Sequence, residues 1–270
     1  MAHPQIATFA RLAEGPATAT RAVSGQKSLL GRTMHGIRYD AMHDEIVVPQ
    51  QFGQAIMTFR GGANGEEPPL RVIQGPLTML HDPDRVDIDP IHNEILVPED
   101  QHILVFAREA NGNVAPIRVL RSAGNSMGEA NVDAVRNLIV VGGSTRVGDR
   151  RSDALLTFNR TDQGDVKPRT MITGPRTRFH SGARMAINAD RGLAFGTIRD
   201  GELVSSDKSF VGVWNYVEDK GDAPPRWTIG GPGGMLRQPR GVALDPRNKT
   251  LLVSDKYLNA VISYYFPEVF

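Results

Sequence analysis

Apolar and polar residues alternate along this chain in short runs, and the runs recur. RVDID (85–89) and ILVFAR (103–108) carry the two-residue period of a half-buried strand. Turn residues separate them: PIHN follows the first run, EILVPE (94–99) follows that turn, and ANGN precedes PIRVLR (116–121). Asn-Gly and similar pairs between apolar runs predict antiparallel hairpins. No stretch sustains a 3.6-residue apolar period between caps, so helix is expected to be nearly absent.

The pattern is copied along the chain. ILVFAREANGNVAPIRVLR (103–121) is matched by IMTFRGGANGEEPPLRVIQ (56–74), IATFARLAEGPATATRAV (6–23), LLTFNRTDQGDVKPRTMI (155–172) and, more loosely, VGVWNYVEDKGDAPPRWTI (211–229). Repetition every roughly 45–55 residues marks one supersecondary unit that must stack on its neighbours to bury its faces. Four strands per unit predict a β-propeller. The innermost strand occurs five times: GIRYD, RVDID, ANVDA, ARMAIN and GVALD. The second and outermost strands also occur five times, while the third occurs six times, since both IATFAR (6–11) and VISYYF (261–266) are copies.

The chain therefore reads as one all-β domain over 1–270 with five blades, at about 35–80, 81–127, 128–179, 180–237 and 238–270. Residues 4–34 are expected to complete the C-terminal blade, which protects the sheet edges at the seam. The surplus third-type strand is expected to lie outermost there or to displace its duplicate. A six-bladed ring ranks second, because an inner strand pair is lacking.

Composition narrows the classes. A 40% hydrophobic and 23% charged content is that of a globular protein. A net charge of +1 does not suit a general polyanion binder, so nucleic acid is not expected as a partner. No apolar run approaches the roughly 18–20 residues of a membrane span. The chain has no cysteine, which removes disulfides and thiolate chemistry. The opening MAHPQIATFARLAEG lacks the charged start and apolar core of a signal peptide.

QPRGVALDPRNKTLLV (238–253) followed by VSDKYLNAVISYY (253–265) resembles an NHL-type repeat, with its proline-glycine entry and Asp-x-x-x-Asn before the third strand. The ANGNVAPIRVL segments are similar to bacterial NHL-like propellers. The resemblance spans essentially the whole chain, with blades three and four departing most. It implies a secreted or periplasmic protein of a fold that serves binding proteins, lactonases and lyases alike. Propeller lactonases hold calcium at the channel through acidic and amide side chains; here Glu129, Asn131 and Asp84 are the available contributors.

Repeated residues read as architecture. Asn64-Gly65, Asn111-Gly112 and Gln163-Gly164 supply positive φ to turns. Arg21, Arg71, Arg118, Arg169 and Arg226 share one outer-strand position and are expected to cover apolar surface or pair with carboxylates. Asp40, Asp89, Asp133, Asp245 and Asn188 end the inner strands as turn-stabilising side chains. Trp214, Trp227, Tyr264, Tyr265 and Phe266 are expected to pack between blades.

Departures from the repeat carry the functional expectation. GGSTRVGDRRSD (142–153) and TIRDGELVSSDKS (197–209) read as insertions on one face, beside the connection TGPRTRFHSG (173–182). They gather Arg146, Arg150, Arg151, Arg176, Arg178, His180 and Arg199 into a candidate site for an anionic ligand or a protein partner. Asp149, Asp153, Asp200, Glu202 and Asp207 are available to neutralise them. Arg38, Arg184 and Arg240 are candidate channel-lining residues. His35, His81 and His180 precede inner strands and are weak candidates for a single channel metal, at unequal depths. GGPGGM (230–235) precedes a strand, so it is a blade connection and not a phosphate loop. No G-x-S-x-G nucleophile motif occurs. The sequence thus reads as a non-catalytic binding scaffold or subunit of a larger complex without a cofactor; the alternative is a lactonase-like hydrolase or lyase with a channel metal.

Overall fold

A computed structural model describes residues 4–32, 34–199, 204 and 207–270. The chain is an all-β, five-bladed propeller, and its only helical segments are short 3-10 turns among the described residues. Its residues gather into two compact units, 1–99 with 104–119 and 100–103 with 120–270, each described by itself.

In the first unit, β1 (Gln5–Thr8) and β2 (Arg21–Ser24) pair antiparallel. Strands β3 (Arg38–Asp40), β4 (Glu45–Gln50), β5 (Ala55–Arg60) and β6 (Arg71–Gln74) form the first complete blade in sequence order. The second blade follows with β7 (Asp87–Asp89), β8 (Glu94–Glu99), β9 (His102–Ala107) and β10 (Arg118–Arg121). Both faces of the first blade are apolar. Val47, Ile56 and Ile73 pack with Ile95, Val97 and Phe106 of the second blade, while Ile46, Val48, Met57 and Phe59 cluster with Val23 and Ile6. Each such buried side chain contributes about 1.5–3 kcal/mol.

The second unit holds the other three blades. The third is β11 (Asn125–Asp133), β12 (Leu138–Val147), β13 (Arg150–Asn159) and β15 (Thr170–Thr173); the two-residue β14 (Gly164–Asp165) runs parallel to Leu120 and Arg121 of β10. The fourth is β16 (Met185–Asn188), β17 (Leu193–Ile198), β18 (Phe210–Asn215) and β19 (Trp227–Gly230). The fifth has three strands, β20 (Pro239–Asp245), β21 (Thr250–Asp255) and β22 (Ala260–Tyr265). Trp214 meets Phe179 edge-on at 5.3 Å between ring centres in the seam of the third and fourth blades. Phe195, Val211 and Val213 pack with Leu251 and Val253 in the next seam.

The two third-type strands each pair within their own unit. β22 takes the third position of its own sheet, and β1 pairs with β2. Each hairpin forms with its nearest partner in sequence, where loop closure costs least. Tyr265, expected between blades, is 73% exposed, because it lies on the face of β22 opposite Ile262 and Tyr264.

The repeated motifs turn out to join blade to blade. Gly65, Gly112, Gly164 and Gly221 have φ between +61° and +77°. Three also lock onto the preceding outer strand: Gly65 N–H donates to Ala22 O at 2.8 Å, Gly112 to Val72 O at 2.7 Å and Gly221 to Met171 O at 2.8 Å. Asn64 and Asn111 add side-chain acceptors for Ala22 and Val72 N–H. The residue directly after the glycine, Asn113, Asp165 or Asp222, accepts from Leu77, Ala123 or Arg176 N–H at 2.7–2.8 Å. Four of the five recurring arginines find acids or amides: Arg71 bonds Glu45, Arg118 bonds Glu94 twice, Arg169 bonds Asn159, and Arg226 bonds Asp219.

Candidate functional site

Three blade-to-blade connections share one device. After Gly25, Gly75 and Gly174 a 3-10 turn buries Ser28, Thr78 or Thr177, whose hydroxyl donates to the glycine carbonyl at 2.6–2.7 Å. A left-handed residue follows (Leu29, Met79 or Arg178), and the next side chain, Leu30, Leu80 or Phe179, enters an apolar cluster. Between β10 and β11 this device is missing. Ser122, Ala123 and Gly124 join the strands directly.

The same blade carries the largest departure in strand length. The stretch 142–153 was expected as an inserted loop; it is instead an extension of the blade's own hairpin. β12 and β13 pair continuously from Leu138–Asn159 to Val147–Arg150, ten residues each against six in β4–β5 and β17–β18. Only Gly148 and Asp149 form the turn, with Gly148 at φ +59°. Backbone pairing sets this ladder, so polar side chains on both faces do not break it. Residues 146–151 are exposed.

The expected site residues separate into two groups. Arg146 and Arg151 face each other across the hairpin, Arg150 lies at its tip opposite Val147, and Arg151 Nη1 donates to Ser144 Oγ at 2.9 Å. Asp153 Oδ1 accepts from Ser181 N–H at 3.1 Å and so ties the hairpin to the connection carrying His180. His180 accepts Gly182 N–H at its Nδ1. Arg178 has a structural use, with its guanidinium 4.1 Å above the Phe210 ring. Arg176 receives its order through its backbone N–H to Asp222, and its side chain is exposed. Arg199 follows β17 and is half-buried, while 200–203, 205 and 206 of the second insertion, with Asp200 and Glu202, lie outside the described residues.

Two of the three arginines expected to line the channel pair with acids from adjacent inner strands. Arg38 Nε donates to Asp87 Oδ1 at 2.7 Å, and Arg184 Nη1 lies 3.6 Å from Glu129 Oε2. Arg240 is half-buried on β20. Of the weak metal candidates, the His35 ring bonds Asp84 through Nδ1, while in His81 it is the backbone N–H that donates to Glu99, at 3.0 Å. Among the described residues no three His, Asp or Glu side chains gather as a cation site.

Around the shortened connection the surface falls into two adjoining depressions of about 460 and 310 Å3. They share Ala123, Gly124 and Asn125 as the strip between them. Sequence reading found Arg146 and Arg151 here and missed Arg121, Lys167 and His102. The signal for these was the absence of the glycine-led 3-10 turn before ANVDA.

The chain matches no protein-family model, and no curated protein sequence matches it. Among solved structures it is similar to Kuenenia stuttgartiensis hydrazine synthase, at 11% identity over 91% of this chain and 67% of that one, with a TM-score of 0.57. The Cps50 (Swd1) β-propeller domain of Myceliophteria thermophila gives 9% identity over 83% of this chain and 62% of that one, with a TM-score of 0.50. A chain of the nidogen/laminin complex gives 12% identity over 97% of this chain and 86% of that one, with a TM-score of 0.58. At these identities the likeness is one of fold, the β-propeller.

Proposed function

We propose that the chain is a non-catalytic, NHL-like β-propeller that serves as a binding scaffold or assembly subunit, with its binding surface on the extended third blade. The observation that carries this reading is the β12–β13 hairpin. Its last residues add nothing to the apolar seams, yet they hold Arg146, Arg150 and Arg151 on a paired, rigid support. Arginine on a preorganised element is suited to a partner's carboxylates or phosphates, since little side-chain entropy is lost per bond formed. The similar fold in the nidogen/laminin complex supports a propeller that presents a face to a partner.

The test is retention of partners from an extract of the source cells by immobilised protein. Reversing charge at R146E/R150E/R151E is expected to abolish retention of a partner that wild type and K249Q both hold. Lys249 lies exposed in the β20–β21 turn and serves as the control. An unchanged set of partners on the reversed variant would remove the hairpin from the binding surface.

A further inference from the structure

The two depressions beside the shortened connection are distinguished by their cations. Elsewhere the outer-strand arginines 71, 118, 169 and 226 are bonded to acids or amides. Among the described residues Arg121, Arg146 and Lys167 make no ion pair or side-chain hydrogen bond, and Arg151 has only Ser144 Oγ. Arg121 and Arg151 line the larger depression with Gln101, His102 and Asn125; Arg146 and Lys167 line the smaller. The one carboxylate in either lining, Asp165, already accepts Ala123 N–H at 2.8 Å through Oδ1. Arg146 and Arg151 also stand directly opposite in the ladder, where like charges repel. An anion at the strip relieves that repulsion.

We infer that this cleft binds a small polyanion, with carboxylate or phosphoryl groups on both sides of the Ala123–Asn125 strip. The inference rests on the scaffold reading above and names the ligand class of the same sector. Three features fix the class. The lining of the larger depression is polar apart from Ala123 and Gly124, so an apolar ligand finds no surface to cover. Its volume of about 460 Å3 falls in the range of small-molecule sites, roughly 300–1,000 Å3. Guanidinium forks match planar carboxylates and phosphoryl oxygens two bonds at a time. The space exists because Ser122, Ala123 and Gly124 join β10 to β11 directly, without the 3-10 turn and apolar side chain that follow β2, β6 and β15.

Isothermal titration calorimetry at matched ionic strength tests this with citrate and pyrophosphate as probes, and acetate as a singly charged comparison. Saturable binding of citrate or pyrophosphate, much stronger than that of acetate, is expected. Binding should be at least roughly tenfold weaker in R121Q/R151Q and in R146Q/K167Q, and unchanged in K249Q. All four substituted side chains are exposed, and the two pairs test the two depressions separately, so one misfolded variant leaves the other to decide. A hexaglutamate peptide displaced by citrate identifies an acidic segment of a partner as a source of the same groups. Absence of saturable binding by either probe overturns the inference, as does equal loss in K249Q or peptide binding that citrate does not compete. If the anions fail to bind while R146E/R150E/R151E still loses its partner, the cleft is wrong and the scaffold reading stands. If the anions bind while that variant keeps every partner, the scaffold reading fails instead.

Discussion

Asp133 shows how much one inner-strand residue does. Its Oδ1 accepts Arg136 N–H at 2.9 Å, which is the turn role its sequence position announces. Its Oδ2 accepts the Tyr216 hydroxyl at 2.8 Å, 83 residues away, and nothing in the repeat points to that bond. Burial, reinforced by Asp133 as acceptor, pushes the Tyr216 phenol far above its ordinary value, so it stays a donor across the accessible pH range. Tyr216→Phe leaves a fully buried carboxylate with one donor fewer and is expected to cost about 1–3 kcal/mol in urea unfolding. Glu99 behaves differently. Burial raises its carboxyl above the usual range, and the N–H groups of His81 and Asp82 offset only part of this. The folded state therefore keeps this proton to higher pH than the unfolded chain does. Its contribution to stability is present in acid and is lost as pH rises through the folded value. The stability of wild type relative to Glu99→Gln is expected to fall from acid to neutral pH in urea melts; a rise would contradict the assignment. Local acceptors such as Asp40 and Asp89 were legible because an Asx turn is completed within three residues. Contacts such as Tyr216–Asp133 were not, because they depend on how two blades meet.

At the scale of elements, the Asn-Gly turn is a latch as well as a turn. Gly112 sits at φ +77° with open space where a Cβ would be, so Gly112→Ala meets no neighbour and costs only the left-handed conformation, about 1–2 kcal/mol. Asn111→Ala removes the acceptor of Val72 N–H and is expected to cost about 0.5–1.5 kcal/mol. Measured by the same unfolding midpoint, both should be destabilising; a neutral result at Asn111 would mean that water replaces the latch. Alternation revealed the ordinary strands because their apolar faces are buried on a period of two. It hid the 142–153 hairpin because Ser144, Arg146, Arg151 and Asp153 leave that stretch without an apolar face, while backbone hydrogen bonds carry the ladder. Replacing Arg146–Arg151 by an Asn-Gly turn removes only exposed residues and should leave stability within about 0.5 kcal/mol of wild type.

For the molecule as a whole, counting inner strands was enough to number the blades, because each blade needs one. The pairing of the duplicated third strand was not countable, since both copies carry the same pattern. The outcome has a consequence for association. The fifth blade's sheet ends at β22, without the outermost strand that β6, β10, β15 and β19 supply elsewhere. One face of that sheet carries Gly241, Ser254 and Val261, then Ala243, Leu252 and Ser263, then Thr250 and Tyr265, with Asp245 at its rim the single charge. Val261 and Tyr265 are 68% and 73% exposed. β22 carries no lysine or other charge of the kind that ordinarily guards a strand against pairing with a second chain. A net charge of +1 adds little repulsion between copies. Wild-type protein is therefore expected to show a weight-average mass that rises with concentration in sedimentation equilibrium. V261K/Y265K should sediment as a monomer over the same range and unfold at the same urea midpoint, because neither side chain contributes to the apolar cluster behind the sheet. A wild-type mass that stays flat would show that the uncharged face is insufficient to drive association.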